Sequence, residues 1–271
     1  MPSVTVNGVR LAYELHGTGE IPLVMVHGSW LAGEQWDPVV PRLAESFRVL
    51  TYDRRGHGDS ERPNSQGSIG ENVADLAALI EQLGLAPAWA TGNSLGASIT
   101  LRLAGQRPDL LEGLTAHEPP LYSLAVSDPA VAQMIEADMR TDAAVAERIA
   151  SGDHAGAAEQ FVEANAPGMW TQLAPEARQM MVQNAPTFLD EANDPTFYDV
   201  DLDRLRAFPR PALLTEGDQS PPQYPPVITK LAEALPSVEV RTLTGVGHLP
   251  HVEHPGAYVD ALTAFVNEHT T

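Results

Sequence analysis

The pentapeptide Gly92-Asn93-Ser94-Leu95-Gly96 places a serine between glycines, after the short apolar run Ala88 to Ala90 and before an apolar stretch opening with Ala97 and Ser98. That pattern predicts a sharp strand-to-helix turn. The serine takes a strained conformation with its hydroxyl exposed, and the glycines remove Cβ atoms that would collide with neighbouring backbone. A serine hydroxyl is a weak nucleophile near neutral pH and needs a base within hydrogen-bond reach. Among nine histidines, His248 is the best placed, in Gly245-Val246-Gly247-His248-Leu249-Pro250 just after the last predicted strand. His251 and His254 follow at spacings of three, but Pro250 and Pro255 break helical continuity and no H-E-x-x-H pattern occurs, so no metal site is read here. The expected chemistry is acyl transfer through Ser94, with no metal and no organic cofactor.

Such chemistry needs amides aimed at a developing oxyanion. His27-Gly28-Ser29-Trp30 follows the apolar run Leu23 to Val26, and a loop there can supply one donor, while the residue after the nucleophile supplies the other. The donors are assigned to Ser29, with Trp30 as the alternative, and to Leu95. His27 is expected to shape the loop rather than exchange protons.

The elements that must hold these groups follow from apolar spacing. Val4, Val6, Val9, Leu11 and Tyr13 alternate around Asn7-Gly8, which predicts a β-hairpin forming an antiparallel edge. Continuous apolar runs at 23–26, 49–52, 88–90, 111–115, 212–215 and 238–242 read as strands buried on both faces. Helices are predicted over 34–46, 70–83, 95–106, 226–235 and 255–269. This alternation gives an α/β fold with a doubly wound, mostly parallel sheet.

From 119 to 200 no strand is evident, only helical segments punctuated by Asp128-Pro129, Ser151-Gly152-Asp153, Ala166-Pro167-Gly168 and Ala185-Pro186. The expectation is a core of residues 1–118 and 201–271 with a helical cap inserted at 119–200. The cap is rich in large, adaptable apolar side chains, Met134, Met139, Met169, Trp170, Met180, Met181 and Phe188. With Trp30, several of these are expected to line a substrate pocket. Asp199, Asp201 and Asp203 do not form a calcium loop, because Arg204 and Arg210 stand where glycine and glutamate are needed; a helix start is predicted instead.

Composition narrows the partners. The 271 residues contain no cysteine, which excludes disulfides and thiolate metal sites. A net charge of −20, from 16 Lys+Arg against 36 Asp+Glu, repels phosphate backbones and anionic headgroups, so neither nucleic acid nor membrane is expected as a partner. The longest early apolar run, Ile21 to Val26, is far short of the about 20 residues that span a bilayer. The polar start, Met1 to Asn7, does not look like a secretory signal, so a cytoplasmic location is expected. A homo-oligomer is compatible with these residues.

In this order, His27-Gly28, then Asp53-Arg54-Arg55-Gly56-His57-Gly58-Asp59-Ser60, then the serine pentapeptide, then Gly247-His248, the chain resembles the α/β-hydrolase fold family over nearly its full length. The resemblance implies an eight-stranded, mostly parallel sheet, a nucleophile after the fifth strand, a cap after the sixth and a histidine after the eighth. It also implies that the loop 53–60 is chiefly structural, with no catalytic role for His57.

The third member of the implied Ser–His–acid set departs from the common pattern. Most family members carry Asp three residues beyond the Gly closing the seventh strand, but here that place, counted from Gly217, is Ser220. Two acids remain. Glu118 ends the sixth strand, which in the family lies beside the nucleophile strand at about 4.8 Å, and it is the preferred acid. Asp218 is the alternative. Fungal zearalenone lactone hydrolases and some haloalkane dehalogenases are similar in carrying Glu there, and the lactonases resemble this chain further in a His-Glu-x-Pro and a Gly-x-His-x-Pro segment. Because family members that attack haloalkanes or epoxides use Asp at the nucleophile position, Ser94 implies a serine hydrolase. Its expected substrate is a medium to bulky apolar ester or lactone. Cofactor-free C–C bond hydrolysis, perhydrolysis and a non-catalytic small-molecule binding protein are the alternatives.

Overall fold

The computed structural model describes residues 1–165 and 168–270, so the break expected at Ala166-Pro167 lies outside the described residues. Asn7 and Gly8 both take positive φ, 48° and 79°, the two-residue turn whose twist matches paired strands. They join β1 (Ser3–Val6) to β2 (Val9–His16). β3 (Ile21–Val26), β4 (Phe47–Tyr52), β5 (Ala88–Asn93), β6 (Leu111–His117), β7 (Ala212–Gly217) and β8 (Val238–Leu243) complete an eight-stranded sheet in the order β1-β2-β4-β3-β5-β6-β7-β8. The β1–β2 and β2–β4 pairs are antiparallel and the remaining pairs parallel. Parallel strands bring their carboxyl ends to one edge of the sheet, where ligand sites of such folds form. β5 runs between β3 and β6, so the loop after β3 and the residue after β6 flank Ser94.

The helices are α1 (Val40–Leu43), α2 (Ile69–Gln82), α3 (Leu95–Gln106), α4 (Ala132–Ala150), α5 (His154–Asn165), α6 (Pro175–Asn184), α7 (Phe188–Ala192), α8 (Leu202–Arg206), α9 (Tyr224–Ala234), α10 (Pro250–Glu253) and α11 (Pro255–His269). Successive strand residues face opposite sides. Val24 and Val26 accordingly join a core with α2, α3 and α9, whereas Leu23 and Met25 join a second core with α1 and α11. The helix expected over 34–46 is corrected: a 3₁₀ turn spans Gly33–Trp36 and only Val40–Leu43 is α-helical. Pro38 has no amide to donate, and Asp37 and Val39 donate to Glu34 and Trp36, three residues back rather than four. Asp201 caps α8 by accepting from the Arg204 amide, the helix start expected in place of a calcium loop.

Between β6 and β7 the described chain is helical or irregular, and α4 to α7 contribute to a third apolar cluster that contains Val145, Ile149, Val162, Met181, Phe188 and, from the loop after β3, Trp30. Among the described residues no helix is long and apolar enough to cross a membrane. Within this region the half-buried Asp142 accepts a 2.8 Å bond from the Tyr198 hydroxyl. Burial pushes its carboxyl from 3.8 up to about 7; the Tyr198 bond opposes this, and Asp138 and Glu191 reinforce it. A carboxyl whose folded value is raised contributes stability at low pH that is lost as pH rises from the unfolded value through the folded one. Asp142→Asn should therefore flatten the fall of Tm between about pH 4 and pH 7; an unchanged slope would show that the group titrates normally.

Candidate active site

Ser94 leaves β5 with φ 56° and ψ −124° and begins the turn into α3. Only unusually close packing permits this bend. A Cβ on Gly92 would lie 2.3 Å from the Gly96 carbonyl, and one on Gly96 only 2.0 Å from the Val26 oxygen, so both glycines are required by backbone contact. The Ser94 amide donates to the His117 carbonyl at 2.9 Å, tying the turn to the tip of β6.

Glu118 is the next residue, fully buried and also at positive φ, 46°. One carboxylate oxygen, Oε1, accepts from the Gly217 amide at 2.8 Å, and Oε2 accepts from His248 Nδ1–H at 2.7 Å. This fixes the imidazole with Nδ1 protonated and Nε2 free to accept. The Asn93 side chain donates to the His248 carbonyl at 2.9 Å, and the Tyr224 ring stacks on the imidazole at 4.8 Å and 12°. His248 is thus held by a carboxylate, an amide and a phenol. Among the hydrogen bonds of the described residues none joins Ser94 Oγ to His248; the two meet through Asn93. In unliganded sites such bonds are often long and tighten around substrate.

Burial by itself would raise the Glu118 carboxyl, but the His248 hydrogen bond, His117 and the Ser220 hydroxyl hold it below its ordinary value. Burial also drives His117 down to about 4 despite Glu118, with His248 acting in the same direction, so His117 is neutral near pH 7. It bonds to the Thr215 hydroxyl at 2.9 Å and to the Gly247 carbonyl at 3.3 Å. Asp218 faces elsewhere: its Oδ1 accepts from the Gly245 amide at 2.7 Å, closing the loop after β8. Of the two candidate acids, Glu118 is the one beside His248. His117, Glu118 and His248 are also a possible set of metal ligands, but their bonds to one another, to Thr215 and to Gly247 already occupy most of these atoms. His251 lies apart, packed on Trp36 at 4.8 Å and driven by burial down to about 3.

The loop after β3 abuts the serine turn. A Cβ on Gly28 would stand 3.5 Å from Ser94 Cβ. Gln35 joins the two segments, accepting from the Gly28 amide at 2.9 Å and donating to Asn93 Oδ1 at 3.1 Å. Leu95 opens α3, where first-turn amides have no intrahelical acceptor. His27 Nε2 accepts from the Arg54 amide at 2.9 Å, so its proton is on Nδ1, facing the Gly28 carbonyl; burial, with Arg54 adding to it, keeps the ring well below its usual value.

The apolar residues expected in a cap divide. Trp30, Met181 and Phe188 are buried together, and Trp170 is half-buried against them. Met134, Met139 and Met169 are instead 38%, 38% and 40% exposed and lie outside this buried cluster. α4 buries Ile135, Val145 and Ile149 in its place: residue type alone does not reveal which stripe of a helix faces inward. Two contributors escaped the sequence reading. Tyr224 lies in a proline-rich stretch with no periodicity, and nothing in the sequence pairs Gly217 with Glu118 across 99 residues.

The sequence pattern described as "Alpha/beta hydrolase family" matches residues 23–261. The chain is 29% identical over 283 aligned positions to a putative non-heme bromoperoxidase, BpoC, of Mycobacterium tuberculosis, covering 95% of this chain and 97% of that protein. Its fold is similar to an enol-lactonase from Burkholderia xenovorans LB400, with TM-score 0.80, 21% identity and coverage of 98% of this chain and 100% of the other. It is also similar to a thermophilic esterase from Thermogutta terrifontis, with TM-score 0.79, 24% identity and coverage of 99% and 97%.

Proposed function

Because this chain belongs to the alpha/beta hydrolase family, we propose that it is a serine hydrolase acting on ester or lactone bonds, with Ser94 as nucleophile, His248 as base and Glu118 as the acid that orients it. The observation that carries this reading is the 2.7 Å Glu118 Oε2–His248 Nδ1 bond at the same sheet edge as a serine held at φ 56°. Ser94 Oγ attacks the carbonyl carbon as its proton passes to His248 Nε2, and the carbonyl oxygen becomes an oxyanion facing the Ser29 and Leu95 amides. Collapse of the tetrahedral intermediate expels the alkoxide, which takes the proton from His248. Water, deprotonated by the same nitrogen, then releases the acid and restores Ser94. Glu118 stays ionised throughout and stabilises the imidazolium.

We read the helices between β6 and β7 as a cap over this edge. The aromatic cluster of Trp30, Phe161 and Phe188, with ring centroids 5.0–5.6 Å apart, and the charge of −20 favour a medium to bulky, uncharged apolar substrate, a zearalenone-type lactone being one example. The bromoperoxidase-named relative supports a second reading, in which hydrogen peroxide replaces water on the acyl-serine and the product is a peracid.

A fluorophosphonate probe should label Ser94, and labelling should vanish in both Ser94→Ala and His248→Ala. Parallel assays on short-chain, long-chain and macrocyclic esters, with and without peroxide, would then separate the two readings. An unlabelled but folded protein would mean that a binding role, not catalysis, is correct.

A further inference from the structure

Away from Ser94, His248 and Glu118, a second buried charged cluster joins the helical segment to the loop after β3. Arg54 and Glu191, 1% and 2% exposed, meet at 3.1 Å. Arg54 belongs to the loop following β4, whereas Glu191 is on α7. The same guanidinium nitrogen, Nη2, donates to the Gly28 carbonyl at 3.1 Å, and His27 Nδ1 contacts that oxygen at 2.9 Å. Nη1 donates to Asn72 at 3.1 Å. Two N–H groups therefore grip one carbonyl, and one of them depends on a charge supplied by the helical segment.

The consequence lies in peptide geometry. The Gly28 carbonyl and the Ser29 amide belong to one planar trans unit, in which C=O and N–H point in opposite directions. Holding the Gly28 oxygen therefore aims the Ser29 N–H. Rotation of that plane would swing the donor away and expose the buried oxygen to no alternative partner. Other residues of the segment hold the same loop further on: Asn184 donates to the Trp30 carbonyl at 3.1 Å and to that of Leu31 at 3.3 Å, and Trp30, at φ 67°, is packed on Phe161 and Phe188.

Resting on the serine-hydrolase reading above, we infer that Glu191, acting through Arg54, is a positioning residue that sets the direction of the Ser29 amide, so that the oxyanion site is complete only with α7 docked on the loop. Glu191 touches neither substrate nor nucleophile in this scheme. Its influence appears where negative charge develops on the carbonyl oxygen, and not in ground-state binding.

The test compares Glu191→Asp, which keeps the charge but withdraws it by one methylene, with Glu191→Gln. Steady-state kinetics on an ester that the parent hydrolyses are measured beside inhibition by a trifluoromethyl ketone, whose hemiketal with Ser94 carries an oxyanion. In both variants kcat should fall, by roughly 10- to 100-fold in Glu191→Gln, with KM within twofold. Ketone affinity should fall by the same factor as kcat/KM. Glu191→Asp, which buries no unpaired cation, decides the matter if Glu191→Gln does not fold. Variants that fold and keep kcat and ketone affinity within twofold of the parent, or that lose only thermal stability, overturn the inference. A parent that no fluorophosphonate labels would instead overturn the serine-hydrolase reading, so the two failures are distinguishable.

Discussion

Glu118→Gln is expected to lower kcat by about 10⁴-fold with KM little changed, while Asp218→Asn remains within a few-fold of the parent. An amide at position 118 offers His248 Nδ1 either a neutral oxygen or an N–H. The first withdraws the charge that stabilises the imidazolium, and the second puts the wrong tautomer against Ser94. Because Gly217 donates to Oε1 and His248 to Oε2, the two oxygens are individually committed and the substituted side chain cannot satisfy both by turning over. Asp218, bonded to the Gly245 amide, makes no comparable contact with His248. The equilibrium consequence has a definite sign. Glu118 is held below its ordinary value of 4.5, chiefly by His248 against the cost of burial. It therefore adds stability above that pH, which is lost as acid protonates it. The substitution should lower Tm at neutral pH and do so less in acid. Steady-state kinetics with both variants, beside melting curves across pH, check this; a full loss of activity in Asp218→Asn with Glu118→Gln unaffected would reverse the assignment of the acid.

How far these groups could be read from the sequence depended on the range of the interaction that fixes each one. Asn7-Gly8 and the glycines around Ser94 are local signals, and the hairpin and the serine turn follow from them directly. α3 and α11 end where their apolar spacing ends. The 34–46 segment misled because its apolar residues are spaced for a helix while Pro38 and Pro41 lack the amides a continuous helix needs, and local backbone chemistry prevails over spacing. Glu118 was legible only as one of two acids, since the deciding contact to His248 spans 130 residues. The Arg54–Glu191 pair, 137 residues apart, left no local trace at all. What remained unreadable is therefore the set of contacts between segments far apart in the chain, among them those that the helices between β6 and β7 make with loops formed much earlier. The outward-facing Met134, Met139 and Met169 belong to that same region, where composition is a poor guide to orientation.

Replacing Ser94, the proposed nucleophile, should separate its chemical role from its structural cost. Ser94→Ala and Ser94→Gly are each expected to lower kcat by about 10⁵–10⁶-fold, leaving only what the oxyanion donors and binding supply. Their stabilities should differ. At φ 56° and ψ −124°, a residue with a Cβ is held at a cost of about 1–3 kcal/mol, and alanine retains that Cβ. Glycine removes the clash but loses about 0.5–1 kcal/mol through its freer unfolded chain. The balance favours Ser94→Gly over Ser94→Ala by about 1 kcal/mol, or roughly 2–4 °C in Tm. Calorimetric melting of both variants tests this. A glycine variant no more stable than the alanine variant would mean that the turn is relaxed, and that the packing of Gly92 against Gly96 and of Gly96 against Val26 is not what forces the serine into its conformation. The gain, if found, measures strain that the rest of the sheet sustains to keep a hydroxyl raised at the edge where His248 and the loop after β3 meet it.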